Sequence, residues 1–375
     1  MNRLIIIGNG FDLAHGLPTR YFDFLKWYWS RFNLITRNLY GKYYYVDKIL
    51  ELDLHNPIQN CDSYHSLVNN LNYEYYKSGE NYIFTNDFFI ELNDNSLVNW
   101  VDIEMFYKTK LEKAFHSNER INEIEKLNRE FSDVRELFEQ YLIENIQPKE
   151  KEGIQIPIMR SILQGWVEGR SFESEFTYDI PKHLAENEGF KERMSDNKFN
   201  EKDGCTYILN FNYTNTIQRY ISNNSKTQVN YIHGFYENKN HPIIFGYGDE
   251  SDELFPLLEK ANNNDYLQFT KSVSYLKRQN YTNLMNFIES NNFIVEVMGH
   301  SLAISDRTLL KTIFENDNCQ YIFMYYHQRE DGATDFFDKS VNISRHFSDK
   351  KMMRKKVAPE VFCCPLPQND NFIQK

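Results

Sequence analysis

The sequence lacks several features that would each indicate a particular class of protein. No segment approaches the ~18 apolar residues that a bilayer span needs, and the four apolar residues before Gly8 are too few for a signal-peptide core. We therefore expect a cytoplasmic protein with no membrane partner. No repeat of fixed period, no low-complexity tract and no Gly-x-Ser-x-Gly nucleophile elbow occurs in the chain.

Cysteine pairs and an excess of basic charge are also missing. The five cysteines include no C-x-x-C pair, which argues against a disulfide framework and a cysteine zinc site, so we expect free thiols and no metal. Forty-two Lys and Arg against 53 Asp and Glu give a net charge of −11, which disfavours a nucleic-acid partner. The basic run at residues 350–356 has helical spacing and is interpreted as a solvated helix face.

What the chain does contain is enough apolar material for a substantial core. Of the 375 residues 41% are hydrophobic and 16% aromatic, so a folded protein of one large domain or two smaller ones is expected. Apolar residues spaced by three and four predict a long amphipathic helix over residues 121–142 and another from Trp100. That second helix carries Asp102 and Glu104, which are two residues apart and so point to different faces. Residues 147–153 are interpreted as an exposed connector.

The opening of the chain predicts a strand, a glycine turn and a helix. The apolar residues 4–7 are typical of a buried parallel strand. Gly8 and Gly10 close that strand, and an aromatic helix begins near Tyr21. This arrangement forms the phosphate-cradling corner of nucleotide-binding α/β folds, although the same turn also serves purely structural packing.

Later strands are predicted to deliver polar residues to one edge of the sheet. The predicted strands are residues 206–209, 229–232, 243–245, 293–298 and 321–326. Each is followed by glycine or polar residues, and ligands of open α/β sheets bind outside the carboxyl ends of the strands. The sequence therefore predicts one cleft at which the strands ending near Ile7, Leu209, Ile232, Phe245 and Met298 converge.

Read in order, these segments resemble the NAD-binding core of sirtuins. The sirtuin Gly-Ala-Gly-x-Ser and, three residues later, Gly-Ile-Pro correspond in spacing to residues 8–12 (Gly-Asn-Gly-Phe-Asp) and 16–18 (Gly-Leu-Pro). Asn212 corresponds to the central Asn of the sirtuin segment Thr-Gln-Asn-x-Asp, and His233-Gly234 corresponds to the sirtuin catalytic His and the Gly that follows it. Phe245-Gly246 resembles the start of the sirtuin Phe-Gly-Glu, and residues 299–302 resemble the sirtuin Gly-Thr-Ser-Leu. The resemblance implies a NAD site, but the chain cannot build the four-cysteine zinc module of sirtuin deacetylases.

A closer resemblance is to the AbiH family of bacterial phage abortive-infection proteins. The hallmark Gly-Asn-Gly-Phe-Asp-Leu and the following Gly-Leu-Pro stand at residues 8–13 and 16–18. The family's Asn-Tyr-Thr, Ile-His-Gly and Gly-His-Ser-Leu segments are also present, the last followed by Asp306. This resemblance covers most of the chain and implies a role in defence against phage.

Together these features predict an α/β fold, a Rossmann-like, sirtuin-like parallel sheet with a large, mostly helical insertion. The nucleotide-binding core is expected to take residues 1–21 and 205–330. The insertion would then take residues 22–204, and a C-terminal helical tail at residues 331–375 would pack on the core.

The resemblance, together with the strand ends, also nominates individual site residues. The candidate catalytic residues are His233, Asn212 and Asp12. The candidate NAD-binding residues are Gly8, Asn9, Gly10, Phe11, Arg20, Gly234, Gly246, Gly299, Ser301 and Asp306. Alternatives stay open for several of them: His233 could be a general base or a satisfied buried histidine, and Asp12 and Asp306 could each cap a helix. Asn9 could adopt a positive φ or contact a phosphate, and His300 is interpreted as a packing or rim residue.

The predicted function is that of an antiphage effector that hydrolyses NAD at the nicotinamide–ribose bond when triggered. Because constant activity would kill the host, an idle state is expected, controlled by homo-oligomerisation, a helical lid or a phage-derived trigger. The alternative is a nucleotide-binding sensor or scaffold without catalysis. A nuclease is opposed by the acidic charge and by the lack of a carboxylate–metal cluster.

Overall fold

A five-stranded parallel sheet organises the computed structural model, which describes residues 2–37, 43–54, 63–69, 81–94, 100–153, 155–164, 205–221, 227–236, 242–248, 250 and 252–369. The strands are β1 (Asn2–Ile7), β2 (Tyr43–Val46), β3 (Leu50–Leu54), β4 (Asn81–Phe84), β5 (Thr206–Asn210), β6 (Thr227–Tyr231), β7 (Phe293–Met298) and β8 (Cys319–Tyr325). The five-stranded sheet has the order β6-β5-β1-β7-β8, and all its neighbours are parallel. The chain therefore starts at the centre of the sheet, builds outward on one side, and then returns to build on the other.

Helices cover both faces of this sheet. The helices are α1 (Asn9–Ala14), α2 (Tyr21–Arg37), α3 (Asp87–Asp94), α4 (Trp100–His116), α5 (Arg120–Tyr141), α6 (Gln147–Lys151), α7 (Pro157–Gln164), α8 (Phe255–Lys260), α9 (Lys271–Tyr275), α10 (Asn280–Ser290), α11 (Arg307–Glu315), α12 (Phe336–Ser344) and α13 (Lys350–Lys356). Alternate β1 side chains enter two cores: Ile5 packs with Met159 of α7, whereas Leu4 packs with Leu284 of α10 and Leu310 of α11. All six residues of β1 are buried in consequence, as a strand covered on both faces requires.

A second region, between β1 and β5, has its own aromatic core. Helices α2 to α5 and a three-stranded antiparallel sheet, β2-β3-β4, surround residues such as Phe24, Phe89, Phe131 and Phe138. The helices agree with the predicted helical insertion, and the predicted helices over 121–142 and from Trp100 are confirmed as α5 and α4. The small sheet was missed by the sequence analysis. The predicted boundary at residue 204 lies outside the described residues.

One local prediction is right only in part, and another is wrong. Residues 147–153 are mostly exposed, as predicted, but α6 forms there. That helix buries Glu150, whose carboxylate accepts hydrogen bonds from the Asn215 N–H and the Thr216 hydroxyl. Residues 243–245 are buried but do not form a strand; the Ile244 N–H donates to the His233 carbonyl at 2.8 Å. Short apolar runs are buried equally well by irregular chain, so their pattern alone does not identify a strand.

The basic run at residues 350–356 forms α13, and most of its charges face solvent, as the sequence predicts. Lys356 is the exception, because its ammonium is buried and donates to the carbonyls of Phe314 and Asn316 at the end of α11. In the described part of the chain, no helix is both long and apolar enough to cross a membrane.

A buried ion pair ties the central strands together and generates the first prediction. Arg3 of β1 makes two hydrogen bonds to Glu296 of β7, Nε to Oε1 at 2.5 Å and Nη2 to Oε2 at 2.8 Å, with side chains 4% and 9% exposed. Arg3 also donates to the Ile162 carbonyl of α7 at 2.9 Å. Removing one partner leaves the other charge buried, so Glu296→Ala should lower the free energy of unfolding by about 3–5 kcal/mol in urea titrations.

The control is Lys311→Ala, which removes a partly exposed pair with Glu315 and should cost less than about 1 kcal/mol. Equal costs for the two variants would show that the Arg3–Glu296 pair does not stabilise the sheet.

Candidate active site

The carboxyl ends of four parallel strands, β1, β5, β6 and β7, surround one cavity of about 500 Å³, and no described residue of the loop directly after β8 lines it. The turn after β1 and the loops after β5, β6 and β7 all contribute to its wall. The predicted site residues that line it are Gly8, Asn9, Gly10, Asp12, Arg20, Asn212, His233, Gly299, Ser301 and Asp306. Its volume lies within the ~300–1,000 Å³ of typical small-molecule pockets.

Three predicted ligand-binding residues lie away from this cavity. The Phe11 ring is fully buried beneath α1, where it packs against His15 and Tyr220. Gly234 forms a turn with φ +77° beside Arg278. Gly246 packs against the backbone carbonyl of Phe269. We therefore do not assign these residues to ligand contact.

The glycine turn after β1 is packed against the loop after β7. The Gly10 N–H donates to the Gly299 carbonyl at 2.8 Å, and the Gly8 N–H donates to the Met298 carbonyl at 3.1 Å. A Cβ on Gly10 would stand 2.8 Å from the Gly299 Cα, and one on Gly8 would stand 2.5 Å from the His300 Cα. The close approach of the two loops therefore requires these glycines, and the Gly10 N–H is engaged by the Gly299 carbonyl.

Asn9 sits in the same turn without the positive φ that the sequence analysis considered. Among the described residues, the non-glycine positions with positive φ are Asn262 and Leu302. The Asn9 side-chain oxygen instead accepts a hydrogen bond from the Thr19 hydroxyl at 2.6 Å. This bond joins the start of α1 to the chain that leads into α2.

Asp12 is buried in the cavity wall and carries an unusual carboxyl group. Its side chain is 1% exposed; Oδ2 accepts a hydrogen bond from Thr214 at 2.6 Å, and Oδ1 has no partner in the described structure. The alternative role as a helix cap is not seen, since α1 begins after Gly8 and has no side-chain cap. Burial raises the pKa of Asp12 from 3.8 to about 7, although the Thr214 and Thr216 hydroxyls oppose the rise.

Asn212 connects the loop after β5 to the glycine turn. Its side-chain amide donates to the Gly8 carbonyl at 3.0 Å, and its own N–H donates to the Asn210 side chain. Thr214 follows two residues later and holds Asp12. The structure thus brings Asn212, Gly8 and Asp12 together from two strands that are 200 residues apart in sequence.

The opposite wall contains a buried ionic cluster centred on Lys271. The Lys271 ammonium, on a side chain 2% exposed, donates to Glu104 and to Asp306, each at 2.9 Å. Glu104 comes from α4, Lys271 begins α9, and Asp306 precedes α11. The alternative role of Asp306 as a side-chain cap of α11 is not seen. A buried charge is tolerated only when paired, so this cluster fixes three separate elements against one another.

Two histidines flank the same cluster. The Nε2 atoms of His233 and His300 lie 3.4 Å and 3.6 Å from the two oxygens of Asp306, and His233 Nε2 also lies 3.1 Å from the Tyr275 hydroxyl. The Leu302 N–H donates to His300 Nδ1 at 2.9 Å, so in neutral His300 the proton stands on Nε2, towards Asp306. His300 therefore belongs to the site rather than to its rim.

Charges in the cluster move the pKa values of its members apart. Burial alone would raise the pKa of Asp306, but Lys271 and the two histidines outweigh it and hold that pKa well below its usual range. Burial raises the pKa of Glu104, with Lys271 opposing the rise. Burial and the nearby Lys271 charge lower the pKa of His233 to about 4, so its imidazole is neutral at pH 7.

The mouth of the cavity carries exposed cations. Arg20 precedes α2, and Arg345 follows α12; both residues line the cavity and are exposed. Asn342 of α12 donates to the Ser301 carbonyl at 2.9 Å, and Lys339 of the same helix donates to the His300 carbonyl at 2.9 Å. The C-terminal segment thus holds the loop after β7 and completes the cavity.

Sequence reasoning missed four residues of the site: Glu104, Lys271, His300 and Arg345. Glu104 was considered only as a partner of Asp102, whereas its partner is 167 positions away. His300 could have been found, because it stands in the same post-strand motif as Gly299 and Ser301. Lys271 and Arg345 follow no motif. Within the described residues, no group of three or more His, Cys, Asp or Glu side chains could hold a metal ion.

The packed glycines generate a test with a matched control. Gly299 (φ +71°) and Gly332 (φ +83°) both need a left-handed backbone, but a Cβ on Gly299 would lie 2.2 Å from the Phe11 nitrogen, whereas Gly332 has open space. Gly332→Ala should cost about 1–2 kcal/mol of unfolding free energy, from backbone strain alone. Gly299→Ala should cost about 3 kcal/mol or more. Similar midpoints of urea unfolding for both variants would contradict the close packing.

The raised pKa of Asp12 predicts a pH dependence of stability. Between pH 4 and pH 7 Asp12 keeps its proton in the folded protein and releases it in the unfolded protein. The ionisation of Asp12 therefore makes the free energy of unfolding fall as the pH rises, by at most about 1.4 kcal/mol per pH unit. Asp12→Asn removes the effect, and its stability relative to wild type should therefore increase across that window.

The difference from wild type is the quantity to measure. The buried His15, His233 and His346, with pKa values lowered to about 4, act in the opposite direction over the same window. Asp338→Asn, at an exposed carboxylate, is the control and should track wild type. If the Asp12→Asn curve also runs parallel to wild type, Asp12 is ionised throughout.

Comparison with protein families places the chain in one of them. The family model described as "Bacteriophage abortive infection AbiH" matches residues 4–327, a range that begins within β1 and includes the other four strands of the parallel sheet. No curated protein and no solved structure matches the chain. Because the match spans most of the 375 residues, the chain belongs to the AbiH family of bacteriophage abortive infection proteins.

Proposed function

We propose that the cavity binds NAD and hydrolyses the bond between nicotinamide and ribose when phage infection triggers the protein. Membership of the AbiH family gives the chain a role in phage abortive infection. Loss of NAD would stop the metabolism of an infected cell before the phage matures. The chemistry of the cavity and the order of the strands support this choice.

The position of the cavity suits a nucleotide. When β1, β5, β6, β7 and β8 are numbered 1 to 5 in chain order, their order across the sheet is 3-2-1-4-5. The first five strands of doubly wound dinucleotide-binding sheets have the same order. In such sheets ligands bind where the strand order reverses, outside the carboxyl ends of the strands. Here the reversal falls between β1 and β7, whose following residues, Gly8 and His300, line the cavity.

The observation that carries the proposal is the Asp12 carboxyl. A general base works best when its pKa lies near the working pH, and the pKa of Asp12 is about 7. Its Oδ1 atom is buried without a hydrogen-bond partner in the described structure, so it has an unmet acceptor that a water molecule or a ribose hydroxyl would satisfy on entering the site. Asp12 would take a proton from water as that water attacks the ribose carbon and nicotinamide leaves.

His233 and Asn212 would orient the ribose. With a pKa of about 4, His233 is a weaker base at neutral pH than the sequence analysis expected, but it stays uncharged. When its Nε2–H faces Asp306, Nδ1 is the ring nitrogen that can accept a hydrogen bond from a ribose hydroxyl. Asn212 is held by Gly8 and could bond the same sugar.

Control of the activity would come from the helical region. Glu104 of α4 and Phe138 of α5 line the cavity opposite the strand ends. Displacement of these helices would open or reshape the site. We propose that a phage-derived trigger or homo-oligomerisation moves this lid.

A nucleotide-binding sensor without catalysis is the second candidate. It is favoured by the mutual pairing of Lys271, Glu104 and Asp306, which leaves these groups satisfied rather than reactive. In that case the cavity would report on a nucleotide rather than consume it.

Incubation of the purified protein with NAD separates the two candidates. Asp12→Asn should lower nicotinamide release by about 10²–10⁴-fold, the usual effect of losing a general base, while NAD affinity stays within a few-fold. The wild-type rate should fall as pH drops below 7, where Asp12 becomes protonated. Asp338→Asn is the control with unchanged rate.

Substitutions at the two orienting residues complete the test. His233→Ala and Asn212→Ala should each reduce turnover, and the double variant should lose less than the product of the single losses, because both act on one sugar. Tight NAD binding with no turnover by wild type would select the sensor. Full phage defence and a normal fall in cellular NAD with Asp12→Asn would overturn the assignment of Asp12.

A further inference from the structure

We propose that the phosphate groups of the ligand bind at the mouth of the cavity, between Arg20 and Arg345, and not in the glycine turn. This inference rests on the proposed function, because it concerns the phosphate-bearing part of a nucleotide. It assigns Arg345, from the C-terminal segment, as a residue that selects nucleotides over nucleosides.

The packing of the glycine turn leaves few of its N–H groups free for a phosphate. The Gly10 N–H is bonded to the Gly299 carbonyl, and the space beside both glycines of the turn is filled by the backbone of residues 299 and 300. The floor of the cavity also carries the carboxyl groups of Asp12 and Asp306. A phosphate placed there would meet negative charge and find few free donors.

The cations at the mouth have the opposite character. The Arg20 backbone is fixed by a hydrogen bond from its N–H to Asp23, and Arg345 is oriented by one hydrogen bond from Nη1 to the Asn342 side chain at 2.9 Å. In the described part of the chain, neither guanidinium forms an ion pair with a carboxylate. Each guanidinium group therefore retains N–H donors that can form two parallel hydrogen bonds to the oxygens of a phosphate.

The two ends of the cavity together orient the ligand. Carboxyl and amide groups that suit ribose hydroxyls lie on the floor, where the partnerless Oδ1 atom of Asp12 is buried. Guanidinium groups that suit phosphates lie at the mouth. A nucleotide would enter with its nicotinamide ribose inward and its phosphates between Arg20 and Arg345.

Two ligands that differ by a single phosphate test this arrangement. Nicotinamide mononucleotide and nicotinamide riboside are titrated by calorimetry, and nicotinamide release is followed in the same samples to correct for turnover. Arg345→Gln should weaken binding of the mononucleotide about 10- to 100-fold and leave binding of the riboside within two-fold. Arg345→Lys should recover part of the lost affinity for the mononucleotide, because lysine restores the positive charge but not the paired hydrogen bonds of a guanidinium group.

Arg354→Gln, an exposed arginine of α13 outside the cavity lining, is the control and should behave as wild type. Equal weakening of both ligands by Arg345→Gln would indicate a structural role and overturn the inference, as would unchanged binding of both. Those results leave the proposed function intact if wild type still releases nicotinamide from NAD. Wild-type protein that binds neither ligand would overturn this inference, and the proposed function would fall with it only if the protein also released no nicotinamide from NAD.

Discussion

The contact between the turn after β1 and the loop after β7 is the constraint on which the rest of the site depends. These strands are neighbours, and Ile7 pairs with Met298 in the last register of the ladder. The chains that leave them touch through the Gly10 N–H and the Gly299 carbonyl at 2.8 Å. This contact forms the floor of the cavity from backbone, and it sets the direction of α1, which carries Asp12 into the protein interior.

The carboxyl groups that line the cavity differ in whether a cation is bonded to them. Asp306 and Glu104 share the ammonium of Lys271. The pairing helps to hold the pKa of Asp306 well below its usual range, whereas for Glu104 it only opposes the rise in pKa that burial causes. Asp12 has hydroxyl neighbours, Thr214 and Thr216, but no cation bonded to it among the described residues, and its pKa rises to about 7. Neighbouring acids with such different environments can take different roles, one as a fixed charge and the other as a proton acceptor.

Segments outside the parallel sheet complete this cavity. The helical region contributes Glu104 and the apolar side chain of Phe138, and the C-terminal helix α12 contributes Asn342 and Arg345. The sheet alone would leave Lys271 without one of its two carboxylate partners. The site is therefore a product of the assembled chain, and the helices that cover it are placed where a lid would act.

The sequence by itself determined the parallel α/β core, the long helices and the convergence of Gly8, Asn212 and His233, because strand periodicity and post-strand motifs are local signals. Only the tertiary structure decided the partners of Glu104 and the burial of Lys271, since the contacting residues lie 167 positions apart. It also decided that Gly10 serves loop packing, which a glycine pattern cannot reveal. The raised pKa of Asp12 comes from burial by several elements at once, and no local pattern encodes that environment.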